Sequence, residues 1–130
     1  MLQRIKKLLE HNALLMAIIA TVIIAILSLS HLPKIDLGLH IKSSDKYLHA
    51  LAYFTLSTVW LFALREKLNN KAVKIVLIVS LIFYGIVLEV LQNKITSFRT
   101  GDLFDEFANV VGISLAVLIF DKLLKWYNSI

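Results

Sequence analysis

Hydrophobic residues fall into four long blocks along the chain, separated by short polar stretches. A transmembrane helix needs about 20 mostly apolar residues, and a backbone in lipid must satisfy its own hydrogen bonds. None of the blocks shows the alternation with period two that a barrel strand requires. The pattern therefore predicts membrane-spanning helices at about 13–30, 47–64, 73–92 and 102–124.

The connections between these blocks are short, so neighbouring helices are expected to run antiparallel. The predicted fold is all-α: a single domain, residues 1–130, forming a membrane-embedded four-helix bundle with up-down-up-down topology. Composition agrees, because 58% of residues are hydrophobic and 18% charged, against about 45–50% and 25% in soluble domains. The chain has no cysteine, which excludes disulfides, thiolate metal sites and cysteine nucleophiles.

The first block has an alternative interpretation as a cleaved signal peptide. Arg4, Lys6 and Lys7 form a basic start, and small residues follow the apolar run at Ser28 and Ser30. The run is 18 residues long, whereas the apolar part of a signal peptide usually has about 7–15. The length favours a transmembrane helix.

Positive charge is distributed unequally between the two sides of the predicted bundle. The side with both termini and the loop 65–74 holds nine Lys and Arg residues, and the other side holds five. Cytoplasmic loops carry the excess of Lys and Arg, so both termini are predicted to be cytoplasmic. The net charge of +5 is then explained by membrane topology, and no nucleic-acid partner is predicted.

Polar residues break the apolar pattern at one end of three helices. The second helix carries a face spaced i, i+4, i+8, the third ends in an acid and an amide, and the fourth begins with acids. The alternating topology brings these three ends to the same, extracytoplasmic side. The residues expected to meet there and to bind a ligand are Asp45, Lys46, His49, Tyr53, Glu89, Gln92, Arg99, Asp102, Asp105 and Asn109.

Several of these residues also fit a purely structural role. Asp102 suits an N-cap, Asp105 suits the position three residues later, and Glu106 in the first turn suits the helix dipole. Gly112 and Ala116 are spaced for a close helix contact. Glu89 lies about one turn, roughly 5 Å, inside its helix end, and its expected partners are His49, Lys94 and Arg99.

From Ser44 to Gly112, the sequence resembles the VanZ-like family of small bacterial membrane proteins. The motifs are Asp45-Lys46-x-x-His49-x-x-x-Tyr53-Phe54, Glu89-x-x-Gln92 and Arg99-Thr100-Gly101-Asp102-x-x-Asp105-x-x-x-Asn109-x-x-Gly112. The family's namesake is associated with resistance to the glycopeptide teicoplanin. The resemblance implies the bacterial cytoplasmic (inner) membrane, an envelope role and a ligand such as an envelope lipid, a lipid-linked wall precursor or a glycopeptide.

Three functions are compatible with these residues. The first is binding of an envelope ligand at the outer leaflet, with Arg99 and Lys46 as donors to phosphate or carboxylate. The second is an intramembrane enzyme acting on a lipid-linked substrate through Asp45, His49, Glu89 and Asp105, with His49, Glu89 and Asp105 as candidate catalytic residues. The third is a structural partner of a larger envelope enzyme.

The sequence predicts no cofactor and no resident metal. A hard cation bridging Asp45, Glu89, Asp102 and Asp105 through oxygen atoms is chemically possible. No strong metal-binding motif such as HExxH is present.

Overall fold

A computed structural model describes residues 1–30, 44–95 and 103–129 of the chain. The helices are α1 (Leu2–Leu29), α2 (Ser44–Ala63), α3 (Lys71–Ile95) and α4 (Leu103–Ser129), with a single 3-10 turn, Arg65–Lys67, between α2 and α3. No strand occurs within the described ranges. The predicted all-α class is confirmed.

The helices extend beyond the apolar blocks that predicted them. α1 begins at Leu2 rather than at residue 13, and α4 continues to Ser129 rather than 124. Hydropathy marks the stretch that can lie in lipid, whereas a helix continues into polar flanking sequence as long as its backbone hydrogen bonds continue. α3 has a defined start, because the side-chain oxygen of Asn70 accepts a hydrogen bond from the backbone N–H of Ala72 at 2.9 Å.

Three of the helices are long and apolar enough to cross a membrane: Gln3–Leu29, Lys71–Ile95 and Leu103–Ser129. α2 is not one of them among the described residues. It is the shortest helix, with 20 residues, and its first turns carry Asp45, Lys46 and His49. Membrane localisation is therefore supported by three helices, and the membrane crossing of α2 stays a prediction.

The core lies mainly between α2 and α4, which make the most extensive helix contact. Gly112 of α4 allows this approach, since a Cβ atom there would overlap the carbonyl oxygen of Ala50 in α2. The close contact predicted for Gly112 is confirmed. The buried core residues are Tyr53, Leu56, Leu61, Leu77, Leu81, Ile113, Ala116 and Phe120.

α1 is held to the other helices by side-chain hydrogen bonds along its length. Near its start, Lys6 donates to the backbone carbonyl of Tyr127 in α4 at 3.2 Å. In its middle, Thr21 accepts hydrogen bonds from the indole of Trp60 at 3.0 Å and, through its carbonyl, from the hydroxyl of Tyr84 at 2.6 Å. These bonds fix α1 against α2, α3 and α4.

The outer surface of the helices is strongly apolar. Ile18, Phe83, Phe107 and Leu118 are among many large hydrophobic residues left exposed on α1, α3 and α4. Apolar surface of this extent on a soluble monomer would be unusual. A lipid environment accounts for it, because lipid tails are as apolar as these side chains.

Candidate functional site

A cluster of ionisable side chains lies where α2 and α4 begin and α3 ends. His49 of α2, Glu89 of α3 and Asp105 of α4 each contribute one ring nitrogen or carboxylate oxygen, and these three atoms lie within 4.8 Å of one another. His49 Nδ1 is 3.8 Å from Glu89 Oε1, and His49 Nε2 is 3.9 Å from Asp105 Oδ2. Glu89 and Asp105 are each 8% exposed, so the cluster is largely closed to water.

The edge of this cluster is formed by Lys46, one turn before His49 on α2. Its Nζ lies 3.1 Å from Asp105 Oδ1, and the lysine side chain is 36% exposed. The ammonium group also lies 5.3 Å from the centre of the Phe104 ring. Lys46 therefore links the buried carboxylate of Asp105 to the exterior.

A chain of hydrogen bonds sets the orientation of the His49 ring. Asn109 is 1% exposed, and its Nδ2 donates to Glu106 Oε2 at 3.0 Å. That bond orients the amide so that Oδ1 faces His49 Nδ1 at 3.2 Å. Since Oδ1 can only accept, Nδ1 of His49 carries the hydrogen, and in the neutral ring the lone pair of Nε2 faces Asp105.

The described residues of the cluster include more carboxylates than ammonium groups. Glu89, Asp105 and Glu106 contribute three carboxylates, and Lys46 contributes one ammonium group. Among the side chains that the structure describes here, three carboxylates therefore lie near one ammonium group. Buried charge is costly unless it is paired, and carboxylates gathered from two helices are chemically suited to bind a positive group.

Two further polar residues of α2 lie deeper than His49 on the same helix. Tyr53 is buried, and its ring centre is 6.4 Å from that of Tyr84. Ser57 is completely buried, and its hydroxyl has no hydrogen-bond partner among the residues that the structure describes. The polar character of α2 thus continues inward from the cluster.

Some of the predicted site residues come together and others do not. Lys46, His49, Glu89, Asp105 and Asn109 share the cluster, and Tyr53 lies beside it. Gln92 points elsewhere: its Nε2 donates to the carbonyl and the hydroxyl of Ser28 in α1, at 2.8 and 2.6 Å.

The remaining predictions fall wholly or partly outside the described residues. Arg99 and Asp102 lie there, and so does the side chain of Asp45, whose backbone belongs to α2. Of the partners expected for Glu89, His49 lies 3.8 Å away and Lys94 is exposed, while Arg99 lies outside the described residues.

Sequence reasoning missed Glu106, which it assigned to the helix dipole. Its Oε2 holds Asn109, and its buried Oε1 has no hydrogen-bond partner in residues 1–30, 44–95 and 103–129. A Cβ atom on Gly85 would lie 2.6 Å from Oε2, so the glycine provides the space that the carboxylate occupies. The available signal was the i, i+3 spacing of Glu106 and Asn109.

Comparison with known proteins corrects the family resemblance. No family model matches the chain, and no solved structure matches it. The chain is similar to Uncharacterized protein C11E3.10 of Schizosaccharomyces pombe, with 36% identity over 84 residues, which are 63% of this chain. The aligned region covers 49% of the relative, so the chain spans about half the length of that protein.

These findings overturn the predicted VanZ-like identity, because no model of that family matches and the relative is a fungal protein of uncharacterized function. Short polar motifs at the ends of apolar helices do not define this family, since acids and amides at these positions also arise from capping and close helix packing. A bacterial origin, a cell-envelope role and glycopeptide resistance have no support from the comparisons.

Proposed function

We propose that this chain is an integral membrane protein whose polar cluster binds the phosphate-bearing headgroup of a membrane lipid. The observation that carries the proposal is the meeting of hydrophilic side chains from three helices at one end of an otherwise apolar helical protein. Polar residues within membrane helices are costly and are usually functional. A ligand that is itself part of the membrane reaches such a site without crossing water.

We also propose the four-helix up-down-up-down arrangement, with α2 as the fourth membrane helix. Its support is the pairing of helix ends: Lys6 near the start of α1 contacts Tyr127 near the end of α4. Ser28 near the end of α1 contacts Gln92 near the end of α3. Lys46 near the start of α2 contacts Asp105 near the start of α4. The excess of Lys and Arg at the terminal side makes that side cytoplasmic.

Lys46 is the residue best suited to contact a lipid phosphate. It lies at the edge of the cluster, is partly exposed, and already contacts a carboxylate. An ammonium group can donate up to three hydrogen bonds, so Lys46 can retain Asp105 while it donates to a phosphate oxygen. Charge-assisted hydrogen bonds of this type are stronger than neutral ones.

The proposal is tested by thermal unfolding of the purified full chain in detergent with added lipids. Phosphatidic acid and phosphatidylethanolamine should raise the unfolding temperature, because a ligand that binds the folded state stabilises it. Diacylglycerol, which lacks the phosphate, should not. Lys46→Gln should lose the lipid-dependent increase, while Lys67→Gln, the same change at an exposed site at the opposite end, should keep it.

Two results would contradict headgroup binding. One is equal stabilisation by diacylglycerol and the phosphate-bearing lipids. The other is an unchanged lipid response in Lys46→Gln, provided that this variant retains the helix content of the parent by circular dichroism.

An intramembrane enzyme is the second candidate function, and the orientation of His49 favours it. The Glu106–Asn109–His49 chain leaves Nε2 with a lone pair, which is the arrangement of a general base held by an orienting group. In ester hydrolysis, His49 would remove a proton from water as the water oxygen attacks the acyl carbon, and the proton would pass to the leaving alcohol. Fluorogenic acyl phospholipids should then be hydrolysed by the parent protein and not by His49→Gln. Equal rates in both would exclude this role.

A further inference from the structure

The side chains of His49, Glu89 and Asp105 form a set of donors that fits a metal ion. We propose that these three residues bind one divalent cation, which lies between α2, α3 and α4. The three donor atoms come from separate helices and lie within 4.8 Å of one another. In a tetrahedral site with bonds of about 2.0–2.2 Å, neighbouring ligand atoms are about 3.4 Å apart. The three side chains must therefore move inward, and Glu89, whose Oε1 lies 3.8 Å from Nδ1 of His49, must also turn toward Nε2.

The orientation of His49 is the one that a metal ligand needs. A ligating histidine normally donates its other ring N–H to an acceptor, which fixes the tautomer and the ring direction. Here Nδ1 donates to Asn109 Oδ1 at 3.2 Å, and Nε2 is left with a lone pair. The distance of 3.9 Å from Nε2 to Asp105 Oδ2 is too long for a direct hydrogen bond, and it suits two ligands of one ion.

The carboxylates and the space around the three ligand atoms also favour a divalent cation. The described part of the cluster holds three carboxylates and one ammonium group, and oxygen atoms of carboxylates are ligands that divalent cations accept. The buried Oε1 of Glu106 has no hydrogen-bond partner in the described part of the chain, and Gly85 leaves the volume in which the Glu106 carboxylate sits. Glu106 therefore supports the site through Asn109 and adds negative charge beside it.

The imidazole of His49 and the two carboxylates indicate which metals would bind. Imidazole suits Zn²⁺ and other first-row transition metals, while carboxylates also suit Mn²⁺ and Mg²⁺. One histidine with two carboxylates thus fits Zn²⁺ or Mn²⁺ better than Ca²⁺, which takes six to eight oxygen ligands. Three protein ligands leave a coordination position open, and a lipid phosphate oxygen is chemically suited to it.

The cation site extends the proposed function, because a bound cation supplies positive charge for a lipid phosphate beside three carboxylates. Metal binding at this site does not itself require the lipid. Metal binding is measured first without phospholipid: the full chain is purified in detergent, treated with chelator, and titrated with Zn²⁺ and with Mn²⁺ by calorimetry. We expect one equivalent to bind. His49→Gln, Glu89→Gln and Asp105→Asn should each weaken binding at least tenfold.

Glu66→Gln is the matched control, because it makes the same chemical change at an exposed carboxylate outside the cluster. It should bind the metal as the parent does. Circular dichroism verifies that each variant is folded, and Co²⁺ provides a second measurement in the parent: ligation by His49 should give a visible absorption band that Asn109→Leu shifts. Absence of stoichiometric binding in the folded parent, or equal weakening by Glu66→Gln, overturns the cation site.

A lipid titration then separates the two proposals. The parent protein should respond to phosphatidic acid more strongly with metal than with chelator. If the metal binds stoichiometrically and no phosphate-bearing lipid stabilises the protein, headgroup binding fails and the cation site stands. If the lipid stabilises the protein equally with chelator and no metal binds, the cation site fails and headgroup binding stands.

Discussion

Gly112 in α4 lies directly against the carbonyl group of Ala50 in α2, where a Cβ atom would overlap the carbonyl oxygen. His49 immediately precedes Ala50, and Asn109 lies one turn before Gly112. The close approach of the two backbones therefore brings His49 Nδ1 to 3.2 Å from Asn109 Oδ1. Small residues at helix contacts in membranes commonly allow such an approach, and here it sets the geometry of the polar cluster.

Gly112→Ala should destabilise the protein by about 1–3 kcal/mol, the usual cost of inserting a methyl group into a packed contact. The opposing atoms are backbone atoms of Ala50 and Phe54, so α2 and α4 must move apart. Denaturant unfolding in detergent, followed by Trp fluorescence, measures the change. Unchanged stability would mean that α2 and α4 are not in close contact at this level.

Gly85→Ala provides the comparison, since the new methyl group would meet side-chain ends rather than backbone. The nearest atoms are Glu106 Oε2 at 2.6 Å and Asn109 Nδ2 at 3.2 Å. Alanine in a helix interior gains about 0.5–1 kcal/mol over glycine, which offsets the displacement of Glu106. We expect a much smaller loss of stability than for Gly112→Ala, and equal losses in the two variants would contradict this difference.

The helical class and the meeting of polar side chains at one end could be predicted because they depend on hydropathy and on the alternation of helix direction. Which neighbour each polar residue contacts could not. Glu89 and Gln92 are three residues apart, hence about 60° apart around the helix. Glu89 faces His49 while Gln92 reaches Ser28. The outcome depends on which side of α3 is packed against α1, and no local pattern in the sequence contains that information.

Asn109→Leu should cost about 1–3 kcal/mol of stability, because it removes two buried hydrogen bonds and leaves the Glu106 Oε2 acceptor without this donor. It should also weaken Zn²⁺ binding by about 10–100-fold, the usual effect of losing a residue that orients a ligating histidine. Chemical unfolding and calorimetry measure the two effects. Ser114→Ala, at an exposed position of the same helix, is the control. Normal Zn²⁺ affinity in folded Asn109→Leu would show that Asn109 does not orient His49.

Gln92→Leu should weaken the attachment of α1 to α3 without affecting ligand binding. The amide makes two hydrogen bonds to Ser28, each with a net value of about 1 kcal/mol. A double-mutant cycle with Ser28→Ala should give a coupling energy of at least about 0.5 kcal/mol. Zn²⁺ binding and the response to phosphatidic acid should match those of the parent. If folded Gln92→Leu loses Zn²⁺ binding or the response to phosphatidic acid, Gln92 is part of the binding site.

The proposed topology can be tested with single cysteines, because the chain contains none. The contact between Lys6 and Tyr127 puts the first residues of α1 beside the last residues of α4. Cysteines at Gln3 and Asn128 should therefore react with a membrane-impermeant maleimide from the same side as a cysteine at Asn69, between α2 and α3. A cysteine at Asn93, near the end of α3, should react from the opposite side.

Labelling of intact and permeabilised cells distinguishes the two sides of the membrane. The excess of Lys and Arg predicts that the positions at Gln3, Asn128 and Asn69 are cytoplasmic. Labelling of Asn69 and Asn93 variants from one side would show that α3 does not cross the membrane and would reject the bundle.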